Sequence, residues 1–333
     1  MSPAAETELE LQVHQGLEDV EAQLLDSVSA NRDLVDDLTR HLAVAGGKRL
    51  RPVLALICSH LGAPHRSQSE PVITAATGVE LTHLASLYHD DVMDSAPSRR
   101  GVDSAQMVWG NNRAILAGDL LFARASSLIA TLGTESILFH VRTFERLCLG
   151  QLNETFGPPE GVDPVEFYLQ VLSDKTGSLV AAAAYFGALH AGAGKEIAQS
   201  VRNFGEYIGV AFQLADDVLD IASPAQVTGK TPGTDLREGV DTMPILLLRQ
   251  EQAAGTLDEA GEEILTLLDG DLRSDERLAE LVTLLAAHPV IDRTRDLARE
   301  WAHKALDSLA DLPDSDAKEA LVAFAMLMVD RAA

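Results

Sequence analysis

The chain has little of what several large protein classes require. It holds only two cysteines, Cys58 and Cys148, far apart in apolar surroundings. Free thiols in a reducing compartment are therefore expected rather than a disulfide. Lys and Arg number 26 against 51 Asp and Glu, which gives a formal net charge of −25. Because general nucleic-acid binding needs a basic surface, we expect no nucleic-acid partner, while a local basic pocket for an anionic substrate stays open.

Long apolar runs, targeting signals and tandem repeats are also missing from the pattern. No apolar run approaches the roughly 18 residues that a bilayer-spanning helix needs. The longest candidate, residues 179–189, is Ala-rich and typical of a buried helix. Residues 1–10 are acidic and polar, unlike a secretory signal. We therefore expect a cytoplasmic protein, with peripheral membrane contact left open.

Strand-forming residues are not concentrated in any segment, whereas Ala, Leu, Glu, Asp and Arg dominate. This composition predicts an all-α fold. The periodicity predicts helices over residues 11–45, 53–61, 71–94, 114–132, 137–156, 164–175, 179–190 and 196–221. Residues 222–243, rich in Gly, Thr and Pro, predict a functional loop, and residues 244–331 predict further helices, with starts at Pro289 and at residues 314–316. No linker is evident, so residues 1–333 are expected to form one domain.

One short acidic motif is present in two copies. Residues 90–94 read Asp-Asp-Val-Met-Asp and residues 216–220 read Asp-Asp-Val-Leu-Asp, each after an apolar stretch. In a helix the first and last Asp of each copy share a face, since they are four residues apart. Three carboxylates so close together repel one another, and magnesium ions bridged by phosphate would relieve that repulsion. One copy alone would fit a solvated helix end equally well, but the pair predicts a magnesium–diphosphate cluster held between two helices.

Two basic segments would suit an anionic substrate. Residues 46–52 read Gly-Gly-Lys-Arg-Leu-Arg-Pro, in which flexible glycines, exposed N–H groups and cations favour phosphate binding. A basic turn between helices fits the same residues. Arg99 and Arg100 follow the first acidic motif and either grip phosphate in bidentate fashion or neutralise nearby aspartates. Weaker signals, each common at protein surfaces, are Lys175, Thr176, Gln213 and Lys230.

The histidines near the first acidic motif have more than one interpretation. His83 lies seven residues before Asp90, on nearly the same helix face. It is either a satisfied core residue or a phosphate donor. His89 and Asp90 would alternatively form the metal dyad of an HD-type phosphohydrolase, with His60 and Asp119 as further ligands. That interpretation leaves the second acidic motif and the glycine-rich basic segment unexplained.

Taken together, these motifs resemble the trans-isoprenyl diphosphate synthases, also called polyprenyl synthetases. The resemblance covers about residues 40–250 and is carried by residues 46–52, 80–94, 99–101, 116–121, 150–151, 175–176, 212–220, 229–230 and 235–244. It implies an all-α, single-domain bundle of antiparallel helices around a central cavity (isoprenoid synthase type), usually as a homodimer. Ser95, where the family often has an acidic residue, is a small departure.

The resemblance also implies a role for each matching residue. Magnesium, as three ions bridged by diphosphate, would be coordinated by Asp90, Asp94 and Asp216, with Asp91, Asp217 and Asp220 close by. The allylic diphosphate would be bound by Arg99, Lys175 and Lys230. Isopentenyl diphosphate would be bound by Lys48, Arg51, His83 and Arg100. The reacting centre would be lined by Lys175, Thr176 and Gln213.

The implied reaction is the magnesium-dependent head-to-tail condensation of isopentenyl diphosphate with an allylic diphosphate. The growing chain would run along the helix before the first acidic motif. On that helix Val79, Thr82 and Ser86 lie roughly on the Asp90 face, with Ala85 beside them. All four side chains are small or medium, and a rise of about 1.5 Å per residue gives roughly 16 Å of open wall. This predicts a medium- or long-chain all-trans polyprenyl diphosphate, such as a quinone side-chain precursor.

Several alternatives stay open at this point. In the resembled family, aromatic side chains four or five positions before the first Asp tend to stop the product at farnesyl or geranylgeranyl length. Here those positions hold Ser86 and Ala85, but a floor on a facing helix would still give such a short product. Candidate floor residues are Phe122, Phe156, Tyr185 and Phe186. A class I terpene cyclase and a non-catalytic synthase subunit are the alternatives from other functional classes.

Overall fold

The structure is a computed structural model that describes residues 7–222, 232–237, 239–272 and 274–329. The chain forms two compact units. The first unit comprises Met1–Glu145, Leu179–Gly205 and Asp311–Leu321. The second unit comprises Arg146–Ser178, Glu206–Ala310 and Val322–Ala333. Whether they act as the single domain expected from the sequence stays a prediction.

Helices account for nearly all regular structure in the described residues, and the all-α prediction is confirmed. They are α1 Glu8–Val28, α2 Asp33–Val44, α3 Leu50–Ser59, α4 Glu70–Met93, α5 Ala105–Trp109, α6 Asn111–Thr131, α7 Thr134–Phe156, α8 Pro164–Leu172, α9 Ser178–His190 and α10 Lys195–Ala222. The chain continues with α11 Thr234–Arg237, α12 Met243–Ala254, α13 Glu259–Leu268, α14 Asp275–Ala287, α15 Val290–Asp307 and α16 Asp316–Val329. A 3₁₀ turn covers Pro64–Arg66 and a π-helix covers Ser173–Gly177. A short hairpin pairs Ser98–Arg99 with Val102–Asp103.

The prediction of one helix over residues 11–45 is wrong, because α1 ends at Val28 and α2 begins at Asp33. Polar side chains in this break bind the backbone and compete with the helical hydrogen bonds. The Ser29 hydroxyl donates to Leu25 O at 2.7 Å, and Asp36 Oδ1 accepts from Ala30 N at 2.8 Å. The chain therefore turns where hydrophobic periodicity alone predicted continuity.

Elsewhere the predicted helices lie close to the observed ones. The expected starts after Pro289 and near residue 316 are confirmed by α15 and α16. Residues 173–175, predicted as the end of α8, form a π-helix instead. Much of the predicted loop over residues 222–243 lies outside the described residues, and within it residues 234–237 are helical.

The core of the first unit is built around α4. This helix is buried along nearly its whole length and on all sides, as expected of a helix that is apolar all round. It packs closely against α6, where a Cβ at Gly78 would stand 2.6 Å from Ile129 Cδ1. At its C-terminal end the buried Tyr88 hydroxyl donates to Leu38 O at 2.6 Å. The last turn of α4, which carries the first acidic motif, is thereby fixed from several sides.

The second unit has its own apolar clusters. One joins α10 with the helices from α11 to α15 through buried Leu, Ile and Val side chains, among them Val218, Ile245 and Leu281. Another contains Leu172 and Leu214, with Tyr168 packed against it. The C-terminal half of α10, which carries the second acidic motif, is therefore held against its own layer of helices.

Helix α6 corrects the expectation that no segment is apolar enough to span a bilayer. Within the described residues it alone reaches the length and apolarity of a membrane-crossing helix, with a mean hydropathy of 1.4 over 18 residues. Its Ala and Leu content outweighs Arg113, Asp119 and Arg124 in that average. One such helix is weak evidence of a membrane span, because core helices of soluble proteins pass the same test. Helix α6 packs its small residues against α4.

The close approach of α9 to α3 gives the first testable prediction. A Cβ at Gly187 would overlap with Ala55 O of α3, so Gly187→Ala would force the two backbones apart. We expect a loss of about 1–3 kcal/mol in the free energy of unfolding. Thermal unfolding followed by circular dichroism measures the loss. Gly194→Ala is the control, because a Cβ there meets nothing within 4 Å among the described residues. Equal melting temperatures for the two variants would contradict the packing.

Candidate active site

The first acidic motif divides its carboxylates between solvent and interior. Asp94 is exposed and Asp90 is half-buried at the C-terminal end of α4, whereas Asp91 is fully buried. Asp91 Oδ1 accepts from Arg99 Nε and lies 2.7 Å from Arg99 Nη2 as well. The middle aspartate therefore fixes Arg99, and the outer two are the ones that reach toward solvent.

The surroundings of Asp91 oppose its charge in part. Burial raises the pKa of Asp91, and the neighbouring Arg99 guanidinium acts to lower it. Its second oxygen, Oδ2, is buried with no hydrogen-bond partner among the described residues. An unpaired buried carboxylate oxygen is costly, so this atom is an acceptor that a cation or a water molecule would satisfy.

The glycine-rich basic segment is organised by Arg49, a residue to which the sequence motifs assign no role. Arg49 is only 5% exposed and adopts a left-handed backbone with φ of 48°. Its guanidinium donates to Glu80 Oε1 at 3.0 Å, to Ala43 O at 2.9 Å and to the Glu21 carboxylate. Glu80 is itself buried. Because a buried charge needs a partner, Arg49 and Glu80 fix this turn to α4.

Arg100 is anchored by the same turn. Its Nη1 donates to Leu42 O at 2.9 Å and to Gly46 O, and its Nη2 lies 3.7 Å from Glu80 Oε1. The guanidinium lies flat against Gly47, where a Cβ would be 2.8 Å from Arg100 Cζ. The second glycine of the motif is therefore needed for close approach by an arginine. The predicted isopentenyl diphosphate residue Arg100 is thus held before any substrate binds.

Three other predicted residues belong to the same basic region. Burial and the charges of nearby arginines hold the pKa of His83 well below its usual range, so its ring is neutral at neutral pH and carries one N–H donor. Arg51 has a buried Nε with no partner among the described residues. Lys48 is exposed on the turn. The structure therefore brings Arg51, His83 and Arg100 into one electrostatic neighbourhood.

The second acidic motif, in the second unit, likewise has a buried middle aspartate between two more accessible ones. Asp216 is exposed and Asp220 is half-buried, while Asp217 is buried. The Tyr168 hydroxyl donates to Asp217 at 3.1 Å and 3.2 Å from its two oxygens, and Met243 N donates at 3.2 Å. Burial raises the pKa of Asp217 well above its usual range. In both motifs the middle aspartate is an internal anchor.

The residues predicted to line the reacting centre lie on different elements of the structure. Lys175 and Thr176 lie in the π-helix, and a Cβ at Gly150 would stand 2.7 Å from Lys175 N. The Lys175 ammonium forms an ion pair with Glu154. Gln213 is half-buried on α10. The remaining predicted residue, Lys230, lies outside the described residues.

The carboxylates of the acidic motifs suit a magnesium ion whose coordination shell is completed by substrate phosphates. Across the described ranges, no three His, Cys, Asp or Glu side chains converge closely enough to hold a metal ion by themselves. Exposed or half-buried carboxylates at Asp90, Asp94 and Asp216 are hard oxygen donors. Magnesium typically uses one or two carboxylates together with substrate phosphates rather than an all-protein cage. Each motif by itself therefore offers donors of the type that magnesium uses.

The HD-type alternative does not gain support from the geometry. His89 Nε2 lies 3.5 Å from Asp119 Oδ1 and 3.0 Å from Ile115 O. That pair has no third metal-binding side chain beside it in the described part of the chain. A histidine that bridges α4 to α6 accounts for the contact.

The residues predicted to set product length fall into two groups. Val79, Thr82 and Ser86 are buried, and the two hydroxyls donate to backbone carbonyls of α4 itself, at 2.8 Å and 2.9 Å. Ala85 instead belongs to the packed cluster shared with α6. At 3.6 residues per turn it lies roughly 140° around the helix from Asp90. Ser86 is therefore the better probe of the wall that leads away from Asp90.

The candidate floor residues also separate. Phe156 is 80% exposed and Phe122 contacts His89 and Phe144 near the first acidic motif. Phe186 is fully buried, and it and Tyr185 pack against Phe139. Of the four candidates, Phe186 is the only one fully buried.

Comparison with known proteins identifies the family. The model of the polyprenyl synthetase family matches residues 32–284, which is most of the chain. The chain therefore belongs to the polyprenyl synthetase family, and the family expected from the motifs is confirmed.

Individual relatives match along nearly the whole chain. It is 42% identical over 310 residues to a nonaprenyl diphosphate synthase of Mycobacterium tuberculosis, covering 93% of this chain and 90% of the relative. It is 34% identical over 313 residues to a dimethylallyltranstransferase of the same organism, covering 93% and 92%. A geranylgeranyl pyrophosphate synthase of Corynebacterium glutamicum, solved with calcium and isoprenyl diphosphate, superposes with a TM-score of 0.86 at 41% identity, covering 98% of each chain.

The buried pair of Arg49 and Glu80 gives the second testable prediction. Arg49→Met removes the guanidinium and leaves Glu80 without its 3.0 Å partner. We expect a loss of about 3 kcal/mol in the free energy of unfolding, because an uncompensated buried charge is costly. Urea denaturation measures it.

The neighbouring lysine is the matched control for this change. Lys48→Met removes the same charge one residue earlier, at an exposed position, and should stay within about 0.5 kcal/mol of the parent. Similar unfolding midpoints for the two variants would show that Arg49 does not fix the turn.

Proposed function

We propose that the protein is an all-trans polyprenyl diphosphate synthase. It would condense isopentenyl diphosphate head-to-tail with an allylic diphosphate and release a medium- or long-chain product. The observation that carries this assignment is the pair of acidic motifs, each with outer carboxylates toward solvent and a buried middle aspartate, together with a pre-anchored basic region beside the first motif. Family membership supports the same reaction class.

Magnesium is the metal that best suits this donor set. Asp90, Asp94 and Asp216 are the proposed ligands, with Asp220 nearby, and three ions bridged by diphosphate are the proposed arrangement. Asp91 and Asp217 would act from behind as anchors rather than as first ligands. When bound, the ions would neutralise the negative charge that develops on the leaving diphosphate. Calcium in the solved Corynebacterium relative supports the use of divalent metal in the family.

Lysine and arginine side chains of the protein would bind the diphosphate groups of both substrates. Arg99 and Lys175, with Lys230, would bind the allylic diphosphate and stabilise it as it leaves. Lys48, Arg51 and Arg100 would hold isopentenyl diphosphate, and the neutral His83 would add one N–H donor. Holding the double bond of isopentenyl diphosphate close to the allylic carbon makes their reaction effectively unimolecular.

The proposed chemistry closes with the loss of one proton. The allylic C–O bond breaks, the double bond of isopentenyl diphosphate attacks the allylic carbocation, and a new C–C bond forms. The released diphosphate would take the proton, which regenerates an alkene. Thr176 and Gln213 would line the reacting centre. Apolar walls would keep water away from the carbocation.

The length of the product is argued from α4. Val79, Thr82 and Ser86 present no aromatic ring, and both hydroxyls are satisfied by the helix backbone. The side chains that form the wall next to Asp90 are therefore small, and the wall offers few polar groups. This favours a long product, as does the 42% identity to a nonaprenyl diphosphate synthase. A farnesyl or geranylgeranyl diphosphate synthase is the second candidate, favoured by the name of the Corynebacterium relative.

Assembly and location are proposed as well. Exposed apolar side chains on α6 and on the first part of α7, such as Leu116, Leu138 and Val141, support a homodimer. We also propose a cytoplasmic enzyme, whose long apolar product would favour peripheral membrane contact. Neither a terpene cyclase nor a non-catalytic subunit needs both acidic motifs and the basic region together.

A product assay tests the function directly. The purified chain is incubated with magnesium, isopentenyl diphosphate and, separately, geranyl or farnesyl diphosphate, and the dephosphorylated alcohols are sized. We expect a ladder that ends well beyond geranylgeranyl. Asp90→Ala should lower turnover by at least about 100-fold, since it removes a proposed metal ligand, and should leave the circular dichroism spectrum unchanged.

The control for that variant is Asp19→Ala, an exposed aspartate of α1, which should keep full activity. Wild-type rates in Asp90→Ala would sink the assignment. A ladder that stops at farnesyl or geranylgeranyl would keep the reaction and select the short-chain candidate.

Product length gives a separate prediction. Ser86→Phe places a ring on the wall beside Asp90 and should shorten the main product by several isoprene units. Ser86→Ala, which removes only a hydroxyl already bonded to His83 O, should leave the length unchanged. The sizes of the dephosphorylated alcohols decide between these outcomes, and an unaltered product in Ser86→Phe would refute the proposed path along α4.

A further inference from the structure

The π-helix between α8 and α9 is the one departure from regular helix in that part of the chain. It covers Ser173–Gly177 and carries the proposed substrate residues Lys175 and Thr176. Single π-turns inside helices are uncommon and occur often at functional sites. Such a turn persists only when neighbouring groups hold it, so the contacts around Ser173–Gly177 show what sets the position of Lys175.

Arg146 of α7 provides those contacts. Its Nε donates to Asp174 Oδ1 at 2.7 Å, and its Nη2 donates to Ser173 Oγ at 3.0 Å. The same guanidinium donates to Glu206 Oε1 at 2.7 Å and to Oε2 at 3.2 Å. Ser173 Oγ in turn donates to Glu206 Oε1 at 2.8 Å. One planar guanidinium therefore joins the first two residues of the π-helix to α10.

Two glycines show how closely this turn is enclosed. A Cβ at Gly177 would stand 2.9 Å from Glu206 O, and a Cβ at Gly150 would stand 2.7 Å from Lys175 N. Backbone thus approaches backbone on both sides of the turn. The sequence does not reveal this arrangement, because Arg146 lies in none of the motifs and reads as one more surface arginine of α7.

The charges explain why an arginine is needed at this place. Asp174 precedes Lys175 directly, and Glu206 lies beside Ser173, so two half-buried carboxylates border the turn. Arg146 neutralises both carboxylates, Glu206 through a bidentate contact and Asp174 through a single one. A lysine side chain cannot reproduce this arrangement. Without it, these carboxylates would attract Lys175 in competition with a substrate phosphate.

We propose that Arg146 is a positioning residue that holds the π-helix so that Lys175 and Thr176 meet the allylic diphosphate, an inference that rests on the proposed function. Arg146 itself touches no substrate in this arrangement. Its loss should therefore affect the allylic substrate selectively and leave the binding of isopentenyl diphosphate, which is assigned to the first unit, nearly unchanged.

The test is steady-state kinetics of Arg146→Ala with farnesyl diphosphate, isopentenyl diphosphate and magnesium. We expect KM for farnesyl diphosphate to rise about tenfold or more and kcat to fall, with KM for isopentenyl diphosphate changed less than about twofold. Guanidinium ion, added far below denaturing concentration, should restore part of the activity by filling the vacated position.

The control is Arg293→Ala, which removes an arginine paired with Glu251 elsewhere in the second unit. It should change neither KM and should show no rescue by guanidinium. A general loss of stability would lower the active fraction without separating the two KM values or responding to guanidinium.

The possible results are distinct. A wild-type protein that elongates neither geranyl nor farnesyl diphosphate would overturn the proposed function and this inference with it. An active wild type, with both KM values of Arg146→Ala unchanged or raised equally and no guanidinium rescue, would overturn the positioning role alone.

Discussion

Burying charge next to charge is the constraint on which the described site depends. Two of the arginines proposed to meet substrate, Arg99 and Arg100, stand beside a carboxylate that is itself buried. Glu80 holds Arg49 and lies 3.7 Å from Arg100, and Asp91 holds Arg99. Leaving a buried carboxylate unpaired would cost several kcal/mol, so these contacts cannot relax independently of the fold. The same contacts therefore stabilise the fold and position the binding groups.

The middle aspartate of each acidic motif illustrates the same constraint from the other side. The three Asp positions of each motif span about 100° around the helix, and the middle one faces the interior in both copies. In the first unit that aspartate meets Arg99, and in the second it meets Tyr168 and Met243 N. The partners differ in charge, and burial raises the pKa of both aspartates. The repeated motif thus has a common geometry with different internal partners.

Sequence reasoning succeeded where a signal is local. The all-α class, most helix positions and the family follow from periodicity and from motifs with fixed spacing. It failed at the break between α1 and α2, because Ser29 and Asp36 act through hydrogen bonds that hydrophobic periodicity does not register. It also missed Arg49, Glu80 and Arg146, whose roles depend on partners 28 to 60 residues away. The two glycines shortly before Arg49 were the one local signal of the unusual backbone conformation at this turn.

The packing of α4 limits how its surface can be used for a growing product. One side of the helix is committed to α6, where Gly78 and Ala85 allow close approach. A large ring at Ala85 would first meet that packed cluster and would change stability along with product length. Ser86 lies nearer the Asp90 face and its hydroxyl bonds only to its own helix. The small residues of α4 therefore pack against α6 on one side, and those nearer Asp90 form the wall along which the product is proposed to grow.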